Sequence, residues 1–243
     1  MGKIRLVTYN VHGCVGRDGV LSPARVADAI APLDPDVVAL QELDVARVRS
    51  GRQDQPRLIA ERLEMEAHFH PALTAEDEHY GNAVLSRRPM RLVRAGGLPN
   101  GPKRHVEPRD AQCAAIDVDG SRLNVLTTHL GLGGSERVEQ VESLLGDGWL
   151  RHPDCAPPVV LCGDLNAIPG TRAYRRMAFW LRDAWRVNGA RGRATWPARW
   201  PVFRIDHVFV SDTVRVEHVE VVATDATRVA SDHLPILACL AFP

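Results

Sequence analysis

The sequence lacks the features that define several large classes of protein. Its 243 residues contain no apolar stretch near the roughly 20 residues that a membrane-spanning helix needs. Lysine plus arginine and aspartate plus glutamate each number 30, so the formal net charge is zero, whereas a dedicated non-specific DNA-binding protein is usually basic. No low-complexity segment or long linker divides the chain. We therefore expect one domain over residues 1–243, with ample length for a substantial core.

Cysteine is scarce and shows no metal-binding pattern. The five cysteines include no CxxC pair, and they are Cys14, Cys113, Cys155, Cys162 and Cys239. Their odd number and spacing disfavour a disulfide framework and a cysteine-bound zinc ion. The N-terminal residues enter an apolar run without the pattern of a signal peptide. We expect buried, reduced thiols in a protein that is cytoplasmic and monomeric.

Short apolar runs recur along the whole chain and predict strands. They cover residues 4–7, 37–40, 83–85, 111–118, 123–127, 159–162, 207–210, 219–222 and 236–242. Several are nearly continuous in valine, leucine and isoleucine, which is typical of strands buried on both faces. The first and second halves of the chain resemble each other in outline, since each has a strand, an asparagine-bearing loop, a helix and further strands.

Helical spacing of apolar residues predicts four helices between these strands. The first follows Ser22, which suits an N-cap position. Leu58, Ile59 and Leu63 mark the second helix after Pro56. Ser135 can cap the third, whose helical spacing reaches Trp149, and the fourth covers residues 170–179. Many strands with few helices favour an α+β fold in which two packed sheets are flanked by helices.

Polar residues stand at one end of six of the predicted apolar segments, after the first four and just before the runs at 207–210 and 236–242. They are Asn10, Glu42, His129, Asp164 with Asn166, Asp206, and Asp232 with His233. Strands that end at one edge of a sheet bring such residues together. Four carboxylates in one place would repel one another and resist ionisation, and a divalent cation relieves this repulsion. Oxygen ligands without cysteine suit Mg²⁺ or Mn²⁺ better than structural zinc.

Each of these residues also has a structural interpretation when it is taken alone. Asp164 lies in a Gly-Asp-Leu-Asn sequence that suits a turn. His129 could form a structural hydrogen bond, and Glu42 could begin a helix. Turn-forming preferences alone do not readily explain why all six segments carry such polar residues. Their joint occurrence therefore favours a functional site.

Seven segments, taken in order, resemble the endonuclease/exonuclease/phosphatase superfamily, which has the deoxyribonuclease I-like fold. They are TYNVHG (8–13), LQE (40–42), GNAVLSR (81–87), TTHL (127–130), GDLN (163–166), RIDHVFV (204–210) and SDHLP (231–235). The matching segments span almost the whole chain, and the chain resembles the compact bacterial branch of the superfamily. It implies a four-layer α/β/β/α sandwich with two mainly antiparallel sheets. It also implies hydrolysis of a phosphate ester with the help of Mg²⁺ or Mn²⁺.

The same resemblance implies a metal group and a pair of residues that handle the attacking water. Asn10, Glu42 and Asp232 resemble the metal-binding residues. Asp164 resembles the residue that orients or deprotonates the water, and a carboxyl with a raised pKa can act as a base near neutral pH. Asn166 resembles the partner that holds this water or the transition state.

The remaining site residues resemble the family's phosphate-facing groups. His233 resembles the phosphate-contacting histidine, with Asp206 directed toward it, and a carboxylate partner favours the imidazolium. His129 resembles the second active-site histidine. Asn82 stands where the family often places a polar active-site residue. Arg109 could clamp a phosphate through its bidentate fork, or it could form an ion pair with a neighbouring acidic residue.

Three functions fit these residues. The first is a metal-dependent, endonuclease-like phosphodiesterase acting on nucleic acid, the second is the same chemistry on a phospholipid headgroup or small phosphate ester, and the third is a non-catalytic binding module. No expected site residue is replaced, which disfavours the third. The sequence shows neither an obvious apolar hairpin of the membrane-acting type nor an interleaved aromatic and basic stripe.

Basic and aromatic side chains bear on the choice of substrate. Basic residues cluster within residues 87–94, 103–105, 172–176 and 191–204. They could border an anionic cleft or form a solvated, ion-paired surface. The tryptophans of the loop at residues 188–201 could contact substrate or pack over a sheet edge.

Overall fold

The computed structural model describes residues 1–100, 107–188 and 194–243. Twelve strands lie in this part of the chain: β1 (Gly2–Asn10), β2 (Val37–Val45), β3 (Glu66–Ala75), β4 (Glu78–Ser86), β5 (Met90–Gly97), β6 (Asp110–Val118), β7 (Ser121–His129), β8 (Val159–Asp164), β9 (Arg182–Asp183), β10 (Asp206–Val210), β11 (Arg215–Val221) and β12 (Ile236–Phe242). The helices are α1 (Pro23–Ile30), α2 (Gln55–Leu63), α3 (Gly134–Leu144), α4 (Arg172–Trp180), α5 (Ala184–Asn188) and α6 (Asp225–Ala230).

The strands form two mixed sheets of six strands each. Sheet 1 has the order β11-β12-β1-β2-β4-β3, and sheet 2 has the order β5-β6-β7-β8-β10-β9. In each sheet one neighbouring pair is parallel, β1 with β2 and β7 with β8, and the other pairs are antiparallel. The helices α1 and α3 connect the two parallel pairs. A parallel pair needs such a crossover, and the crossover leaves the carboxyl ends of both strands at one edge.

Apolar side chains on both faces of the central strands hold the layers together. Leu6 of β1 lies in the core between the sheets, where it joins residues such as Val125 and Val208 of sheet 2. The next residue, Val7, points to the opposite face and packs in the core that includes residues of α1 and α2. Complete burial of each such side chain contributes about 1.5–3 kcal/mol. The expected four-layer α/β/β/α sandwich is thereby confirmed, as is the near-continuous apolar character of its central strands.

The helices follow the predicted pattern in part. Ser22 caps α1 as predicted, because its side chain accepts a hydrogen bond of 3.1 Å from the Arg25 backbone N–H. Helix α2 forms where it was predicted, with Ile59 and Leu63 facing the core and Leu58 turned toward solvent. The prediction that Ser135 caps α3 is wrong, because Gly133 is the N-cap and the helix begins at Gly134. The helix ends at Leu144, so Trp149 lies beyond it, although Trp149 still packs in the core beneath it.

Three strands lack a counterpart among the predicted apolar runs, and all three are at sheet edges. They are β3 at the edge of sheet 1, and β5 and β9 at the two edges of sheet 2. An edge strand has a single neighbour, and most side chains of β3 and β5 are half-buried or exposed. Such strands need no apolar run, which explains why periodicity did not reveal them.

The cysteines are all free. Four of them are buried as expected, whereas Cys239 is partly exposed, so the expectation of burial is wrong for that residue. Within the described residues, no helix has both the length and the apolar character that crossing a membrane requires.

Gly163 allows β8 to lie against β7 just before the polar residues at the end of β8. Its φ is +136°, and a Cβ placed there would collide with the carbonyl oxygen of Thr128 on β7. A side chain at this position would therefore force the two strands apart at the point where Asp164 begins.

We predict that Gly163→Ala lowers the free energy of unfolding by about 3 kcal/mol or more, because strain and a backbone collision add. Gly120→Ala is the matched control, since Gly120 also has a positive φ but no atom lies within 4 Å of its Cβ position. That control should lose only about 1–2 kcal/mol. Denaturant titration of both variants measures the difference, and equal losses would contradict the close approach of β7 and β8.

Candidate active site

The carboxyl ends of both parallel strand pairs meet at one place. Asn10 ends β1, Glu42 lies in β2, His129 ends β7 and Asp164 ends β8. The Asn10 side-chain amide donates to Glu42 Oε1 at 2.8 Å and to Asp164 Oδ2 at 3.0 Å. This one side chain therefore joins the polar end of sheet 1 to the polar end of sheet 2.

Asp164 lies at the centre of the cluster. Its Oδ1 accepts a 2.8 Å hydrogen bond from the Asn166 backbone N–H. Its Oδ2 lies 3.4 Å from His129 Nε2 and 3.7 Å from His233 Nε2. Burial and then the negative charge of Asp206 raise the pKa of Asp164 to about 7, although His233 and the hydrogen bonds from Asn166 and Asn10 act in the opposite direction. A carboxylate with this pKa can exchange a proton near neutral pH.

His233 forms a close pair with Asp206. Its Nδ1 lies 2.9 Å from Asp206 Oδ2, and both side chains are buried. Burial alone would lower the pKa of His233, but Asp206, followed by Asp164 and Asp232, outweighs this effect and raises the pKa to about 10. His233 is therefore an imidazolium at neutral pH, and its Nε2–H faces Asp164.

The loop that carries His233 is tied to the end of β1 through Ser231. The Ser231 hydroxyl donates to the Asn10 carbonyl oxygen at 2.7 Å and accepts from the His233 backbone N–H at 3.2 Å. The serine of the Ser-Asp-His motif thus has a structural role, because its hydrogen bonds fix the loop to sheet 1.

His129 is held as a neutral ring by Arg109. Arg109 Nη1 lies 3.1 Å from His129 Nδ1, and a guanidinium has no acceptor, so Nδ1 accepts this hydrogen bond. Burial and then the positive charge of Arg109 lower the pKa of His129 to about 3. Arg109 also pairs with Glu107 at 3.0 Å. It therefore forms the expected ion pair and also lies in the site.

Asn166 and Glu42 share an uncommon backbone conformation. Their φ angles are +47° and +63°, in the left-handed region. Glu42 lies at a β-bulge, since the pairing of β2 with β4 shifts register between Leu40 and Leu43. This position excludes the alternative that Glu42 begins a helix. The Asn166 amide donates to the Leu130 carbonyl oxygen at 2.9 Å and lies 3.1 Å from His129 Nε2. Strained backbone of this kind is concentrated at functional sites.

His12 stands between the two partly exposed carboxylates of the site. Its Nδ1 lies 3.7 Å from Glu42 Oε2 and 3.7 Å from Asp232 Oδ1. A hydrogen bond to Glu42 raises the pKa of His12, although burial opposes this shift. Burial would raise the pKa of Glu42, but His12, His129 and Asn10 hold it well below its usual range. The imidazole thus lies in the place where a cation would balance both carboxylates.

The donor set fits a hard divalent ion. Two compact groups of side chains could hold a metal, Glu42 with His129 and Asp164, and Asp164 with Asp206 and His233. Asp232 belongs to neither group but shares His12 with Glu42. The Asn10 amide nitrogen faces Glu42 and its oxygen accepts from the His12 backbone N–H, so this amide would have to turn to become a ligand. The oxygen-rich set without thiolates matches the preference of Mg²⁺ or Mn²⁺.

The cluster opens into a cleft of about 590 Å³. The lining residues come from both sheets and from the loops between them: His12, Glu42, Arg49, Tyr80, Glu107, Arg109, His129, Leu132, Asp164, Asn166, Ile168, Trp196, Phe203, Ile205, Asp232 and His233. Asn82 is not among the described residues that line this cleft. Its buried side chain donates to Asp110 instead, and the structure does not bring it to the other expected site residues.

Two lining residues that the sequence motifs do not assign contact the expected site directly. His12 carries a weak signal, because it lies two residues after Asn10 in the first motif. Trp196 donates from its indole Nε1 to Asp232 Oδ2 at 3.1 Å. No sequence pattern predicts this contact, since 36 residues separate the partners.

Trp196 begins an apolar hairpin that the sequence does not predict. Its backbone pairs with Phe203 in both directions, at 3.0 and 2.9 Å, and the two rings stack with centroids 6.1 Å apart. This pairing is an isolated bridge outside the named strands, so it differs from the obvious apolar hairpin that the sequence lacks. The two prolines and the charged residue within this segment hide the pairing from a search for alternating apolar residues. Trp200, at the hairpin tip, is exposed and does not pack over a sheet edge.

Several of the basic residues form ion pairs away from the cleft. They include Arg87 with Asp34, Arg88 with Asp36, Arg176 with Glu142, and the buried pair of Arg204 with Asp183. The interpretation as an ion-paired surface is correct for the first three pairs, and Arg204 is structural. The basic residues at 103–105 and at positions 191 and 193 lie outside the described residues.

Two packed mixed sheets with this cluster at their parallel strand ends define the class of the protein, the deoxyribonuclease I-like fold. The model of the endonuclease/exonuclease/phosphatase family matches residues 7–233, and the chain belongs to this family. The members of the family hydrolyse phosphate esters and generally depend on a divalent metal.

Individual proteins resemble the chain over almost its whole length. YbhP of Escherichia coli is 23% identical over 255 residues, which cover 97% of this chain and 95% of YbhP. The endonuclease/exonuclease/phosphatase of Beutenbergia cavernae superposes with a TM-score of 0.78 and 26% identity, over 100% of this chain and 72% of that one. The mannosyl-6-phosphatase Bt3783 of Bacteroides thetaiotaomicron has a TM-score of 0.78 and 19% identity, over 98% of this chain and 100% of that one.

The pairing of His233 with Asp206 generates a pH prediction for the metal-free protein. In Asp206→Asn the pKa of His233 should fall by about 2 units, because an opposite charge at this distance is lost. A histidine whose pKa is raised on folding stabilises the fold fully below about pH 6.5, and this stabilisation is lost as the pH rises toward 10. NMR titration of the imidazole C–H signals measures the shift. An unchanged His233 titration in the variant would show that Asp206 does not hold the imidazolium.

Proposed function

We propose that this protein is a phosphodiesterase that uses Mg²⁺ or Mn²⁺. The observation that carries the proposal is the environment of Asp164, whose Oδ2 lies within 3.7 Å of the Nε2 atoms of both His129 and His233. A carboxylate that titrates near neutrality, an imidazolium and a neutral imidazole donor therefore face the same cleft. Phosphoryl transfer needs a proton acceptor for water and donors for the phosphoryl oxygens.

Glu42 and Asp232 would hold the metal, with Asn10 as a third ligand after its amide turns. When bound, the ion polarises a phosphoryl oxygen and stabilises the negative charge of the transition state. The position of His12 supports this assignment, since its Nδ1 lies 3.7 Å from an oxygen of each of the two carboxylates. The His12 ring would have to move for Glu42 and Asp232 to hold an ion between them.

Asp164 would take the proton of the attacking water. Its Oδ1 is anchored by the Asn166 backbone, which leaves Oδ2 directed toward His129 and His233. The neighbouring Asp206 and the buried position keep this carboxylate basic enough to accept a proton at neutral pH. Asn166 would help to hold the water through the side-chain amide that lies next to His129.

The two histidines would bind the phosphate in different protonation states. His233, held by Asp206, would donate from Nε2 as a full cation to a phosphoryl oxygen as negative charge develops. His129, held by Arg109, would donate from Nε2 as a neutral ring. The protonation states of the two histidines differ because His233 has an anionic neighbour, Asp206, and His129 has a cationic one, Arg109. Neighbours that push pKa values apart in this way are typical of acid–base pairs in active sites.

The charge of the cleft favours a diester over a monoester. Both arginines that line the described part of the cleft are already paired, Arg49 with Asp44 and Arg109 with Glu107. A phosphate diester carries one negative charge, whereas a monoester dianion carries two and calls for further positive charge near it. The cleft contains no unpaired arginine among its described lining residues to provide this.

Hydrolysis of bis-p-nitrophenyl phosphate tests the proposal, with the monoester p-nitrophenyl phosphate as the comparison substrate. We predict Mn²⁺- or Mg²⁺-dependent cleavage of the diester that EDTA abolishes. Asp164→Asn and His233→Ala should each lower kcat at least ~10²-fold, because each removes a group that acts in the transition state. The control is His218→Ala, which removes an exposed histidine whose partner is Glu220.

Circular dichroism should show that both site variants remain folded. Rates like those of the wild type in either site variant, or full activity in excess chelator, would contradict the proposal. A kcat/KM that is higher for the monoester would correct the diester assignment while leaving the site residues in place.

A further inference from the structure

A group of exposed apolar side chains borders one side of the cleft. The group, called here the apolar rim, consists of Leu132, Ile168, Trp200, Val202 and Phe203. Leu132 is 74% exposed, Trp200 72% and Val202 66%. Leu132, Ile168 and Phe203 line the cleft itself, and Trp200 and Val202 lie on the same hairpin as Phe203.

The rim is attached to the catalytic cluster through three separate loops. Leu132 lies in the loop that follows β7 and His129, and Ile168 lies in the loop that follows β8 and Asp164. The hairpin precedes β10 and Asp206. A surface that contacted these side chains would therefore lie directly over the mouth of the active site.

The hairpin is held in place rather than left loose. The Ala198 backbone N–H donates to the Asp232 carbonyl oxygen at 2.6 Å, and Arg228 Nη1 donates to the Ala198 and Arg199 carbonyl oxygens at 2.6 and 3.1 Å. Trp200 thus projects from a fixed support, with the exposed Arg199 beside it. Apolar side chains that are both ordered and exposed around a cleft indicate a binding surface.

The charge near the cleft favours a lipid over a nucleic acid as the occupant. A nucleic acid strand is held by a series of cations along its phosphates. The described cleft instead provides one phosphate-binding cluster, and its arginines, Arg49 and Arg109, are each paired with a carboxylate. One phosphate site beside an apolar border matches a phospholipid, which carries one phosphodiester next to its acyl chains. Tryptophan and arginine side by side also suit the interface of a bilayer.

We propose that the apolar rim docks this protein onto a lipid surface and that its substrate is a phospholipid-like phosphodiester whose acyl side faces the rim. The substrate assignment rests on the proposed phosphodiesterase function. The docking itself does not, since it needs only the rim.

Cosedimentation with vesicles of phosphatidylcholine and phosphatidylglycerol in EDTA tests docking without catalysis. The double variant Trp200→Ser/Val202→Ser should lower vesicle affinity at least ~10-fold, because two side chains no longer enter the lipid. Phe179→Ser is the matched control, since Phe179 is 78% exposed but does not belong to the apolar rim. Phe179 lies near the end of α4, whereas Ile168 of the rim precedes the start of that helix. The control should bind vesicles as the wild type does.

Activity completes the test. With Mn²⁺, the double variant should cleave vesicle phospholipid at least ~10-fold more slowly than the wild type, yet cleave bis-p-nitrophenyl phosphate at an equal rate.

Three results would overturn the proposal. The double variant could bind vesicles as the wild type does, or the Phe179→Ser control could lose as much affinity as the double variant. Single-stranded DNA could also displace the vesicles through binding that needs Trp200. Cleavage of the soluble diester without any cleavage of phospholipid would overturn its substrate part. Vesicle binding that depends on the rim, with no hydrolysis of any ester, would instead sink the proposed function and leave docking intact.

Discussion

The hydrogen bond from the Asn10 amide to Asp164 Oδ2, at 3.0 Å, is the contact around which the site is arranged. It joins the carboxyl ends of two parallel strand pairs that belong to different sheets. Gln41 makes a second link, since its amide donates to Thr127 of sheet 2 as well as to Thr8 of sheet 1. Because each half of the chain repeats a strand, a crossover helix and a parallel strand, the polar ends of both halves reach the same edge. A small shift between the sheets would separate the carboxylates from the histidines that depend on them.

The neighbours of the buried groups separate their protonation states. Asp164 has a pKa of about 7 through burial and Asp206, His233 reaches about 10 through its carboxylate neighbours against the effect of burial, and His129 falls to about 3 through burial and Arg109. Asp164 Oδ2 lies 3.4 Å from His129 Nε2 and 3.7 Å from His233 Nε2, so three neighbouring groups hold different charges at one pH. In the proposed mechanism, this separation would let a proton acceptor, a charged donor and a neutral donor face one phosphate.

Much of the fold could be predicted from sequence because central strands are buried on both faces and therefore apolar throughout. The edge strands β3, β5 and β9 could not, because one neighbour and an exposed face leave no apolar pattern. The convergence of Asn10 with Asp164 follows from strands that end on polar residues. Two features could not be predicted from the strand pattern: the contact of Trp196 with Asp232, and the apolar rim. Both depend on how a loop folds back over the cleft. The resemblance to the family suggested a polar site residue at Asn82, but the Asn82 side chain donates a hydrogen bond to Asp110 and does not line the cleft.

We propose that the strand ends form a site for a hard divalent ion beside a phosphate. The most direct measurement is a crystal structure with Mn²⁺ and phosphate, in which anomalous scattering locates the ion. We expect an ion bound by Glu42 and Asp232, His12 moved from between them, and a phosphate oxygen within hydrogen-bonding distance of His233 Nε2. An ion bound elsewhere on the chain, or no ion in the site at millimolar Mn²⁺, would contradict it.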